Sequence, residues 1–80
     1  MTKEELKRHL VEARNKKGLT HEQVASLTDN LITRQYYGMI ENGVKRPSVD
    51  VAQAIAKVLE IEWTIFFNLK GNQKFLKRIV

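Results

Sequence analysis

Apolar residues recur along this chain at the spacing of helices rather than strands. Leu6, Leu10 and Ala13 stand at i, i+4 and i+7, with Arg14 beside the stripe. Thr2 precedes them as an N-cap, and Glu5 three residues later completes a capping-box spacing. This first predicted helix fills the charged segment Met1 to Lys17 and ends at Gly18. A second start follows at once. Thr20 and Gln23 have capping-box spacing, Leu19 and Val24 form a hydrophobic-staple pair, and Glu22 suits the positive end of a helix dipole. The pattern turns Val24, Ala25 and Leu27 inward and fades into the polar turn Thr28-Asp29-Asn30.

The third predicted helix has its own start and stop signals. Thr33 is an N-cap, Ile32 and Tyr37 form a staple pair, and Gly43 suits the position just past the end, where positive φ carries no strain. At helical periodicity Tyr37, Ile40 and Glu41 share one side, while Arg34, Gln35, Gly38, Met39 and Asn42 spread over the other. The first set suits a core. The second has two readings: a solvated face of a small bundle, or a face that reads DNA. Arginine and glutamine can pair bidentately with guanine and adenine edges in the major groove. Gly38 lies mid-helix, at a cost of roughly 1 kcal/mol against alanine. Either something approaches the backbone closely there, DNA being one candidate, or the position is exposed and neutral.

Beyond Gly43 runs the basic loop Val44-Lys45-Arg46-Pro47-Ser48, in which Pro47 biases Arg46 towards extended geometry and Ser48 can cap the next helix. That helix carries Val51, Ile55 and Val58 at i, i+4 and i+7, with Ala54 and Leu59 alongside. Ile61 to Phe67 forms a short, heavily apolar last helix, in which Trp63, Phe66 and Phe67 either lid the core or form a dimer surface. Gly71-Asn72 then breaks the chain. Gln73 to Val80 holds Phe75, Leu76 and Ile79 among basic residues, as an amphipathic helix or a frayed tail. The expected layout is one all-α domain of five helices over residues 1–69 and a basic tail over 70–80.

Eighty residues are one domain. With no cysteine there is no disulfide framework and no thiolate metal site, which fits a reducing cytosol. No apolar run approaches a membrane span and no signal-peptide core is present. His9 and His21, without cysteine or an acidic cluster, predict no metal site; no cofactor is expected. No phosphate loop, nucleophile with a base or spaced carboxylate pair suggests an enzyme. The net charge is +5 and the pI near 9.8, which points to a polyanion. Four basic residues and no acid fall between Lys70 and Val80, however, leaving ten basic against nine acidic residues over 1–69. Affinity for DNA must therefore come from where charge is placed rather than from its total. Arg14, so close to an apolar stripe, calls for a carboxylate partner if it is buried.

Leu10 to Phe67 resembles the Cro and phage-repressor helix-turn-helix family (XRE-like, lambda-repressor-like) of five-helix DNA-binding domains. The matching pieces are Ala13-Arg14 with Lys17-Gly18-Leu19-Thr20, Thr33-Arg34 with Ile40-Glu41-Asn42-Gly43, Lys45-Arg46-Pro47-Ser48, Ile55-Ala56-Lys57-Val58-Leu59, and Trp63 with Phe66-Phe67. The resemblance implies that Arg34–Asn42 is the recognition helix, with Arg34, Gln35, Gly38 and Met39 facing bases. It places His21 where a residue of the second helix touches phosphate, and assigns Asn42, Lys45 and Arg46 to the phosphate backbone; Tyr36 is expected to be a further phosphate contact. It pairs Arg14 with Glu41 as a buried ion pair. The expected protein is a bacterial or phage transcriptional regulator acting as a repressor in the cytoplasm, on the nucleoid, as a homodimer on a palindromic duplex operator. An antitoxin that binds DNA and a toxin, the latter through the tail, is an alternative; a protein-interaction module that has lost DNA binding is another. In two respects the chain departs from the family pattern, one being the mid-helix Gly38 and the other the turn between the second and third helices. The turn before Thr33 is two residues longer and lacks the usual glycine, which bears on the angle between the two helices. A tilted recognition helix would shift base reading towards Tyr36 and Met39.

Overall fold

The computed structural model describes residues 1–68. The expected tail over 70–80, and the protein partner attached to it, lie outside those residues. The described chain is all-helical: α1 (Lys3–Lys16), α2 (His21–Leu27), α3 (Arg34–Glu41), α4 (Val49–Leu59) and a closing 3-10 helix at Trp63–Phe67. Each α-helix begins on a side-chain cap. The hydroxyls of Thr2, Thr20, Thr33 and Ser48 accept hydrogen bonds from the backbone N–H groups of Glu5, Gln23, Tyr36 and Val51, and the first two caps are full capping boxes. The fifth element is a single 3-10 turn rather than a fifth α-helix. It is five residues long, contains β-branched Thr64 and Ile65, and Glu62 supplies no side-chain cap, so the tighter turn suffices.

The core is one cluster drawn from every element: Leu6 and Leu10 of α1, Val24 and Ala25 of α2, Ile32 before α3, Tyr37 and Ile40 of α3, Ala52, Ile55 and Leu59 of α4, and Phe66. Three predicted details shift. Leu27 points outward and is 58% exposed; the buried corner of α2 is Val24, Ala25 and Thr28, whose hydroxyl donates to the Ala25 carbonyl at 2.6 Å. In α4 the buried stripe is Ala52, Ile55, Ala56 and Leu59, with Val51 and Val58 only half-buried at its margins. Small alanines face inward there because α1, α2 and the 3-10 helix all pack on this helix and leave little room. In the lid, Phe66 is 1% exposed, while Trp63 and Phe67 are half-buried and meet edge to face at 6.0 Å.

The long turn between α2 and α3 manages without glycine. Asp29 and Asn30 both take left-handed backbone, at φ 59° and φ 60°. Aspartate and asparagine tolerate that region better than most residues. The added length therefore goes into a compact reversal, and α2 still packs directly on α3. Leu31 in this turn is exposed, whereas Ile32 beside it is buried as the staple partner of Tyr37.

Candidate nucleic-acid interface

α3 is short, and its orientation is set from its inner face. Tyr37, Ile40 and Glu41 are buried. At its end Gly43 turns to φ 78°, the Val44 N–H bonds back to the Met39 carbonyl at 2.8 Å, and the Gly43 N–H bonds to Ile40 at 3.1 Å. This Schellman-type closure stops the helix and throws the basic loop away from it.

Glu41 is the centre of a buried polar hub. Its carboxylate, 4% exposed, receives Arg14 Nε on Oε1 at 3.0 Å and Arg14 Nη2 on Oε2 at 3.3 Å. The Tyr37 hydroxyl donates to Oε1 at 2.9 Å, and His21 Nε2 lies 2.8 Å from Oε2. A carboxylate can only accept, so Nε2 carries the proton and Nδ1 of a neutral ring is the acceptor. Arg14 Nη1 further donates to the Leu19 carbonyl at 3.0 Å. Burial by itself would raise the Glu41 pKa, but the hydrogen bonds from Arg14, His21 and Tyr37 outweigh it, and the carboxyl is held below its ordinary value. Burial pushes the Tyr37 phenol well above its ordinary value, so it stays a donor. The hub joins α1, α2 and α3 in one network, and among the described residues no buried side-chain polar atom lacks a partner. This matters because a half-satisfied buried charge would be strongly destabilising.

The outer face of α3 opens onto a broad depression of about 830 Å³. Arg34, Gln35, Gly38, Met39 and Asn42 line it from α3 and its end; Thr20, His21 and Glu22 line it from the start of α2, with Arg14 and Val44 at its edge. The structure thus brings Arg34, Gln35, Gly38, Met39, Asn42 and His21 to one surface. Asn42 is partly committed there, since its amide donates to the Gly38 carbonyl at 2.9 Å. Lys45 and Arg46 border a separate hollow beyond the end of α3, together with Pro47, Lys3 and Phe66. Tyr36 lies on another side again, half-buried beside Leu31, Ile32 and Val51.

The tightness at Gly38 has a partner inside the protein. A Cβ built there would stand 3.4 Å from His21 Nδ1 and 3.7 Å from His21 Cε1. The imidazole of α2 lies across the backbone of α3, and its ring also meets Tyr37 edge to face at 5.3 Å. Sequence reading did not anticipate His21 and Tyr37 as partners of Glu41. Tyr37 is four residues before Glu41, a spacing that places both on one helix face. His21 comes from twenty residues away and carries no local signal. Thr20, Glu22 and Val44 carry cap, dipole and loop signals in the sequence but no signal that places them on the depression.

An all-helical chain that packs two short helices through a turn, holds the second by its inner face and leaves its outer face open is a helix-turn-helix domain. The helix-turn-helix family model matches residues 10–66, and the chain belongs to that family, in its Cro-like branch. A relative from Bacillus subtilis (strain 168), described as the uncharacterized HTH-type transcriptional regulator YqaF, is 45% identical over 68 residues, which cover 85% of this chain and 87% of the relative. No solved structure matches. No helix among the described residues is long and apolar enough to cross a membrane.

Proposed function

We propose that this protein is a cytoplasmic transcriptional repressor that binds a palindromic DNA operator as a homodimer and acts by occupying it rather than by chemistry. Two copies would set their α3 helices into successive major grooves about 34 Å apart. Arg34, Gln35, Gly38 and Met39 face the base edges. His21, Tyr36, Asn42, Lys45 and Arg46 contact phosphates. The observation that supports this reading is the single open surface on which Arg34, Gln35, Gly38, Met39, Asn42 and His21 converge, on a helix whose angle is set from behind by Glu41. The family match and the relative described as a transcriptional regulator point the same way.

Selection of bound duplexes from a random pool at physiological salt tests it. Enrichment of one palindromic sequence is the expected result. Recovery of the pool without enrichment would overturn base reading and favour a protein-interaction role for the same fold.

A further inference from the structure

The two nitrogens of His21 have different surroundings. Nε2 is bonded to the buried Glu41 carboxylate at 2.8 Å. Nδ1 is on the other side of the ring, next to Gly38, where a built Cβ would stand 3.4 Å from it. Among the described residues Nδ1 makes no hydrogen bond. The His21 side chain is 37% exposed and lines the depression in front of α3. The Glu41 bond therefore does two things. It fixes the tautomer of the neutral ring, with the proton on Nε2, and it leaves Nδ1 as the unprotonated nitrogen of a ring that lines the depression.

A lone pair aimed at a phosphodiester is unfavourable, because two acceptors face one another. Protonation reverses this. The imidazolium keeps its Nε2–H bond to Glu41 and gains an Nδ1–H that can donate to a phosphate oxygen, with a positive charge behind the bond. The ring is bonded to Glu41 of α3 and meets Tyr37 edge to face, and the charged residues that share the depression with it are Glu22 of α2, Arg14 of α1 and Arg34 of α3. Arg14 is itself bonded to Glu41, which leaves the incoming phosphate as the uncompensated anion.

We infer that His21 is a proton-linked phosphate contact: DNA binding takes up a proton at Nδ1, and affinity for the operator rises as pH falls. The inference rests on the DNA-binding reading above. Its sign follows from linkage. The complex holds one more proton than the free chain and duplex, so affinity rises as pH falls.

The test measures affinity for the selected duplex at constant ionic strength from about pH 5.5 to 8, the range in which histidine side chains change charge. Wild type and His9→Gln, which alters the other histidine, should both tighten on acidification, by up to about tenfold per pH unit for one proton taken up. His21→Gln should bind with little pH dependence. Calorimetry of the wild type in two buffers of different ionisation enthalpy should detect proton uptake on binding, whether or not the variant folds. Nitrogen-15 NMR of the free chain at high pH should place the ring proton on Nε2. A wild-type affinity that is flat in pH, a response that survives in His21→Gln, or a neutral ring protonated on Nδ1 would each overturn the inference and leave DNA binding standing. A chain that binds no duplex at any pH would overturn the DNA reading and this inference with it.

Discussion

On the inner face of α3, Tyr37, Ile40 and Glu41 are buried, and the polar atoms of Tyr37 and Glu41 are bonded to other elements or to each other. On the outer face Arg34 and Gln35 are exposed, and no hydrogen bond holds either side chain among the described residues. Eight residues thus carry two opposite environments. The inner face has one arrangement that satisfies a buried carboxylate, and this fixes the angle of the helix. The outer face has long polar side chains free to adapt to whatever arrives. Orientation and recognition are separated on one element, so each can be broken without the other.

The largest expected effect is on the inner face. Glu41→Ala strands Arg14 and removes the partners of His21 and Tyr37, and should cost about 3–5 kcal/mol of stability in denaturant unfolding. A loss below about 1 kcal/mol would mean that the hub does not hold α3. The same residue makes stability depend on acid. Its folded carboxyl titrates below its ordinary value, so its contribution is whole above that value and is lost as pH falls through the lowered one. Unfolding measured at descending pH should show the decline in wild type and a flatter curve in Glu41→Gln.

The outer face should respond in the opposite sense. Arg34→Ala or Gln35→Ala should leave stability within about 0.5 kcal/mol and weaken binding to the selected duplex by about 1–3 kcal/mol, with little change on random DNA. Equal losses on both duplexes would remove these side chains from base reading. Lys45, beyond the end of the helix, should act differently again. Lys45→Ala should weaken all duplexes alike and lower the slope of log affinity against log salt by about one; an unchanged slope would place Lys45 off the phosphates.

Gly38 sits between the two faces and gives the smallest effect. Alanine there gains up to about 1 kcal/mol of helix propensity. Its Cβ would stand 3.4 Å from the His21 ring, at the edge of ordinary contact. Thermal unfolding of Gly38→Ala should show a change within about 1 kcal/mol of wild type. A larger loss would mean that the His21 ring cannot give way, and that its place over α3 is part of the hub.

What is local in this protein was legible from residue types in order. The caps at Thr2, Thr20, Thr33 and Ser48, and the left-handed stops at Gly18 and Gly43, depend on neighbours within about one helical turn, so the sequence by itself determined the α-helices and most of their ends. The two faces of α3 follow from periodicity in the same way. Tertiary structure decided the rest. A two- or three-sided environment chose Thr28 over Leu27 for the interior and the alanine stripe over Val51 and Val58 in α4, because burial depends on how much room the packed neighbours leave. The turn could lengthen without glycine because Asp29 and Asn30 accept left-handed backbone where packing demands it. The bond from His21 to Glu41 joins residues twenty apart, and the same histidine fills the space over Gly38. Only the packing of α2 on α3 puts that imidazole between a buried carboxylate and an open surface. No rule of spacing along the chain encodes a contact that two helices must meet to make.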